Sequence, residues 1–85
     1  MLVWLWEADG PGRFRGVSDN ENAARLAAAQ CMTSGQADTA TVEAASLILG
    51  ASSLTDCYRR TGTGWIARRS DRDVRWTPLT VGVPA

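Results

Sequence analysis

The chain predicts the α+β class: a small two-layer domain with a mostly antiparallel sheet, in the order ββαβαββ, and helices on one face. Three observations carry this reading. Hairpin patterns stand at both ends of the sequence, an alanine-rich helical pattern follows the first, and 85 residues suffice for one domain with a thin core. At 45% hydrophobic and 21% charged, the composition is that of a folded chain rather than a disordered one. Residues 1–85 are therefore read as a single domain, with 80–85 as a frayed tail.

Residues 2–7 are almost continuously apolar and β-favouring, Asp9-Gly10-Pro11-Gly12 breaks the run, and 13–17 resumes it, which predicts a hairpin. Two registers are open. In one, Val3 and Leu5 share a face with Phe14, leaving Trp4 and Trp6 beside Arg13 and Arg15; a one-residue slip puts the tryptophans with Phe14 instead. Next, Ser18-Asp19-Asn20-Glu21 has the form of a capping box, so a helix is expected from Asp19 until Gly35 at its C′ position. At 100° per residue, Ala23, Ala24, Leu26, Ala27, Ala28 and Cys31 fall on one arc, with Glu21, Asn22, Arg25, Ala29 and Thr33 opposite. An alanine face approaches a sheet closely but brings little volume, so at least two tryptophans are expected inside.

Residues 39–49 mix signals: Thr41, Val42 and Leu47-Ile48-Leu49 favour a strand, Glu43, Ala44 and Ala45 a helix, and the strand is preferred. Ser53-Leu54-Thr55-Asp56 resembles a second capped start, predicting a short helix with Leu54, Cys57 and Tyr58 on one face that Gly62 stops. Thr61-Gly62-Thr63-Gly64 is then a turn into the last hairpin, whose strands 64–69 and 74–79 flank Ser70-Asp71-Arg72-Asp73. If Arg69 pairs with Val74, then Trp65, Ala67, Arg69, Val74 and Trp76 share an apolar face, while Ile66, Arg68, Arg75 and Thr77 share an arginine-bearing one.

The absence of lysine and histidine removes the commonest general base, the commonest metal ligand and Schiff-base chemistry, so no enzyme is expected. Cys31 and Cys57 match no zinc spacing and read as reduced thiols, while MLVWLW has no basic region before it and reads as a strand, not a leader or a membrane span. A cytoplasmic protein is expected. The run RRTGTGW lacks the lysine and following helix of a phosphate loop. Glu7, Asp9, Asp71 and Asp73 were they to converge would make a metal cluster, but the aspartates stand in expected turns; Ser18 and Ser53 lack a base and read as caps. No catalytic, cofactor or metal residue is nominated.

The nine arginines and nine acids cancel, yet unevenly: residues 1–57 carry three arginines against seven acids, residues 58–76 six against two. This nominates Arg59, Arg60, Arg68, Arg72 and Arg75 as partner-binding residues on an arginine face suited to nucleic acid or an acidic protein surface. Against it stands a pI near 6.1, which fits arginines paired with the chain's own acids. An all-arginine complement also fits a GC-rich codon bias. Tyr58-Arg59-Arg60-Thr61-Gly62-Thr63-Gly64-Trp65, with Ala67-Arg68-Arg69 and Trp76, resembles the C-terminal part of small uncharacterised proteins from GC-rich actinobacterial genomes. That resemblance implies a bacterial, cytoplasmic origin and carries no activity.

The functional expectation is a non-enzymatic interaction module whose arginine face binds an anionic partner. Its alternatives are a protein-protein or homodimerisation module and, from another class, a hydrolase built on carboxylates. The last requires Glu7 or Glu43 to meet Asp71 and Asp73 in a concave site.

Overall fold

The computed structural model describes residues 2–47, 58–71 and 73–79. Their elements are β1 (Leu2–Asp9), β2 (Arg13–Ser18), α1 (Glu21–Thr33), β3 (Thr39–Leu47), β4 (Tyr58–Ser70) and β5 (Asp73–Pro78). The five strands form one antiparallel sheet in the order β2-β1-β3-β4-β5, and α1 packs on one side of it. The expected α+β class holds, with one helix among the described residues. Residues 53–57 of the second expected helix and the tail 80–85 lie outside them.

Strand alternation sorts the sheet into two faces. The row Phe14–Ala8–Ala40–Ala67–Trp76 crosses all five strands on the helix side. Its three central alanines are buried and its aromatic ends half-buried, so the sheet offers a trough with tall rims. Ala24, Ala28 and Met32 of α1 fill that trough, and complete burial of a methionine side chain stabilises by about 1.5–3 kcal/mol. The next row, Gly16–Trp6–Val42–Trp65, puts Trp6 flat across Gly16, where a side chain would collide with the indole. The slipped register of the first hairpin is thus the one adopted: Trp4 and Trp6 join Phe14 on the core side, away from Arg13 and Arg15.

Three local expectations need correction. Asn20 is the N-cap of α1, accepting from the Ala23 amide at 3.1 Å, while Ser18 accepts the Asn20 amide at 3.2 Å. The cap is displaced by two residues from the expected box, and Glu21 is free for another partner. Leu26 stands 60% exposed instead of inside. Arg25 explains the rotation: its guanidinium lies 4.6 Å from the Trp65 ring and 4.8 Å from that of Trp76, and Trp65 Nε1 donates to Glu21 Oε1 at 2.7 Å. These contacts bring the Glu21–Arg25 side of the helix down onto β4 and β5.

The third correction is to Tyr58–Gly64, expected as a helix end and a turn but found within β4. Pairing with β3 runs from Thr39·Arg68 to Glu43·Gly64, then resumes at Ala45·Arg60, leaving Thr61, Gly62 and Thr63 opposite Ala44 alone. This bulge has its own bonds: Thr61 Oγ1 donates to the Ala44 carbonyl at 2.8 Å, and the Thr63 amide donates to Thr61 Oγ1 at 3.2 Å. Gly62 takes φ +81°, which a side chain disfavours. Gly64 is required for space, since a Cβ would overlap the Val42 carbonyl oxygen. The C-terminal hairpin has the anticipated register, Arg69·Val74, with Ala67·Trp76 and Arg68·Arg75, and Ser70·Asp73 closes it. Asp71, at φ +55°, turns the chain there. Gly35, at φ +83°, follows the Ser34 C-cap as expected.

No described helix is long and apolar enough to cross a membrane.

Candidate functional site

The sheet face opposite α1 carries no described element, and strand pairing fixes what it presents. One row reads Arg13–Asp9–Thr39–Arg68–Arg75, the next Arg15–Glu7–Thr41–Ile66–Thr77, the third Val17–Leu5–Glu43–Gly64, and the fourth Val3–Ala45–Arg60. Among the described residues, five arginines therefore share one face. Two of them, Arg13 and Arg15, were not nominated from sequence; the signal was present in the second register of the first hairpin, which turns Phe14 inward and its arginine neighbours outward.

Four of these arginine positions, in two groups, behave differently from one another. Around Arg60 the face is electrically closed. Arg60 Nη1 donates to Glu43 Oε1 at 2.8 Å and Nη2 lies 3.5 Å from Glu7 Oε1, while Arg15 Nε is 3.8 Å from that same Glu7 oxygen. Glu43 is buried, and the Gly62 amide donates to its second oxygen at 2.9 Å. The hydrogen bond to Glu43 is the chief cause raising the Arg60 pKa above its ordinary value, with partial burial opposing it. The sign follows: a raised basic pKa contributes stability below the unfolded pKa and loses it only as pH climbs through the folded one, so Arg60 is a fixed cation at any ordinary pH. The β4 bulge makes this cluster. In regular pairing Arg60 would stand opposite Leu47; the bulge draws it to Ala45, one row nearer Glu43.

At the other end of β4, Arg68 and Arg75 are exposed and directly opposed, and among the described residues no carboxylate lies within 4 Å of either. Like charges in that arrangement repel, at a cost on the order of 0.2–1 kcal/mol. Together with Ile66, Ser70 and Thr77 they line an open depression of about 370 Å³. Asp73 shares this face, two residues before Arg75 and opposite Ser70.

The five nominated arginines are thus separated. Arg68 and Arg75 come together, Arg60 is engaged by Glu43 and Glu7, and Arg59 pairs with Ser46 at a position whose side chain belongs to the helix side. Arg72 lies outside the described residues. Arg69 reaches Asp38 at 2.8 Å on the helix side, and Arg13 lies 3.3 Å from Asp9. Glu43 and Asp73, two of the acids named for a carboxylate site, stand apart: Glu43 faces Gly64 whereas Asp73 faces Ser70, six residues or about 20 Å further along β4. Among the described residues no three cysteine, aspartate or glutamate side chains gather as a metal site would need. Comparison with known proteins finds no matching family model, no similar curated protein and no similar solved structure.

Proposed function

We propose that this chain is a non-enzymatic interaction module that docks an anionic, phosphate-bearing partner on the sheet face opposite α1, through Arg68 and Arg75. One observation carries the reading. Two arginines are paired directly across the strands with no described carboxylate in reach, on a face whose other three described arginines each have one. An incoming anion relieves that repulsion, and arginine forks suit phosphate oxygens. Nucleic acid leads among such partners because the positive charge of this face left without a described acid is confined to the β4–β5 end, where a phosphate would be drawn.

Fluorescence anisotropy against a short duplex DNA at rising salt tests the reading. With two arginines engaged, log affinity against log salt is expected to fall with a slope of about −1.8, and Arg68→Ala with Arg75→Ala to flatten it. Absence of binding at about 50 mM salt and 100 μM protein removes nucleic acid, since non-specific affinities usually reach that range.

A second reading, a protein partner or a second copy, draws on the apolar half of the same face, where Val17 is 51% and Tyr58 38% exposed beside Leu5. Tyrosine and arginine together are common in protein interfaces. Sedimentation of wild type against Val17→Asp distinguishes it: a change in mass with that variant supports this reading. Trp4 and Trp6 pack against the core and are unsuitable probes of an interface.

A further inference from the structure

The charge on this face suits a compact ligand better than a long one. Arg13, Arg15 and Arg60 are each occupied by Asp9, Glu7 or Glu43, so an extended polyanion leaving the β4–β5 end meets neutralised arginines on one side and Asp73 on the other. What remains is a cross-strand pair of arginines whose Cα atoms, as a directly facing antiparallel pair, stand about 4.5–5.5 Å apart and whose side chains line one depression. Two arginine side chains rooted that close can reach one and the same group. A carboxylate brings a single charge and two oxygens. A phosphomonoester brings about −1.5 to −2 charges at neutral pH and three strong acceptor oxygens, enough for both forks and the hydroxyl of Ser70, which lines the same depression. An internal phosphodiester carries only one charge and is flanked by chain on both sides.

We propose that the depression lined by Ile66, Arg68, Ser70, Arg75 and Thr77 is a binding site for a terminal phosphoryl group, one per chain, supplied by a nucleotide or by the phosphorylated end of a nucleic acid. This deepens the reading above and rests on it. Ile66 gives the site an apolar wall against which the sugar or base of such a ligand packs, while Thr77 and Ser70 border the two arginines on the same side of the sheet.

Titration followed by amide and arginine side-chain NMR tests the proposal, using inorganic phosphate, a nucleoside 5′-monophosphate, dimethyl phosphate, and one duplex DNA with 5′-phosphate or 5′-hydroxyl ends. Saturable shifts at Arg68, Ser70, Arg75 and Thr77 are expected with the first two. Dimethyl phosphate should bind about tenfold more weakly, as should phosphate to the Arg68→Lys/Arg75→Lys variant, which keeps the charge and loses the fork. Arg13→Ala should leave the titration unchanged. Tighter binding of the monophosphate than of phosphate supports a nucleotide source; tighter binding of the 5′-phosphate duplex than of the monophosphate supports a nucleic-acid end. Equal binding of phosphate and dimethyl phosphate overturns the proposal. So does equal, Arg68-dependent binding of the two duplexes, which would leave the broader anion-docking reading standing. Silence from every one of these anions overturns both.

Discussion

Arg60 and Arg68 belong to one strand and project from one face of the sheet, yet the two ends of β4 treat a guanidinium differently. At the Arg60 end the chain departs from regular pairing, placing three residues opposite one, so that the arginine meets Glu43 and Glu7 while a bulge amide completes the buried carboxylate. At the Arg68 end pairing is regular, the hairpin is tight, and the residue opposite is another arginine. One end uses irregular backbone to satisfy charge; the other uses regular backbone to leave it unsatisfied. Satisfied charge belongs to the stability of the fold, and unsatisfied charge, which the fold does not need, is where a partner is to be sought.

Substitutions can break this contrast, and the largest effect is expected at Gly64. Gly64→Ala sets a methyl group against the Val42 carbonyl at the foot of the bulge and is expected to cost about 3 kcal/mol, read as a fall in the urea midpoint. Arg60→Ala comes next. Among the described residues it leaves the buried Glu43 with the Gly62 amide alone, and it should cost about 2 kcal/mol, the exposed half of the arginine keeping the loss below that of a fully buried pair. Adding Glu43→Gln to it should restore about 1 kcal/mol, and a cycle of urea melts showing simple additivity would mean the pair is not coupled. Arg25 offers a third condition, a cation satisfied by two indole faces, and Arg25→Ala should cost about 1 kcal/mol with a change in tryptophan fluorescence. Arg68→Ala is the smallest: stability within about 0.5 kcal/mol of wild type, on the favourable side if relief of repulsion dominates, together with loss of anion binding. A substantial loss of stability in that variant would show the opposed arginines to be structural.

The C-terminal hairpin was legible because its apolar and polar residues alternate without interruption on both sides of a polar loop, and a one-residue error would have exposed Trp65 and Trp76 together. The first hairpin gave two registers, since residues 2–7 supply large side chains to both faces, and only Gly16 beneath Trp6 distinguishes them. Leu26 was misplaced because periodicity ranks leucine as an inward residue and takes no account of an arginine drawn in by two tryptophans. The bulge was hidden for a related reason: Thr-Gly-Thr-Gly has the composition of a turn, and only the distant Glu43 and Val42, which Gly62 and Gly64 meet, reveal a strand. Arg68 and Arg75 could be nominated from local alternation. The engagement of Arg60 could not, because its partners lie on β1 and β3.

The bulge also constrains how the length of this segment can change. Removing two of the residues 61–63 restores one-to-one pairing, keeps Arg60 opposite Ala45 and facing its carboxylates, and sacrifices only the local bonds to Ala44 and Glu43. Removing a single residue leaves two residues opposite Ala44, an ordinary bulge, and still sets Arg60 opposite Ala45. The segment therefore has two residues to spare: loss of all three would set Arg60 opposite Ala44, on the helix side of the sheet, and break the ion pair with Glu43.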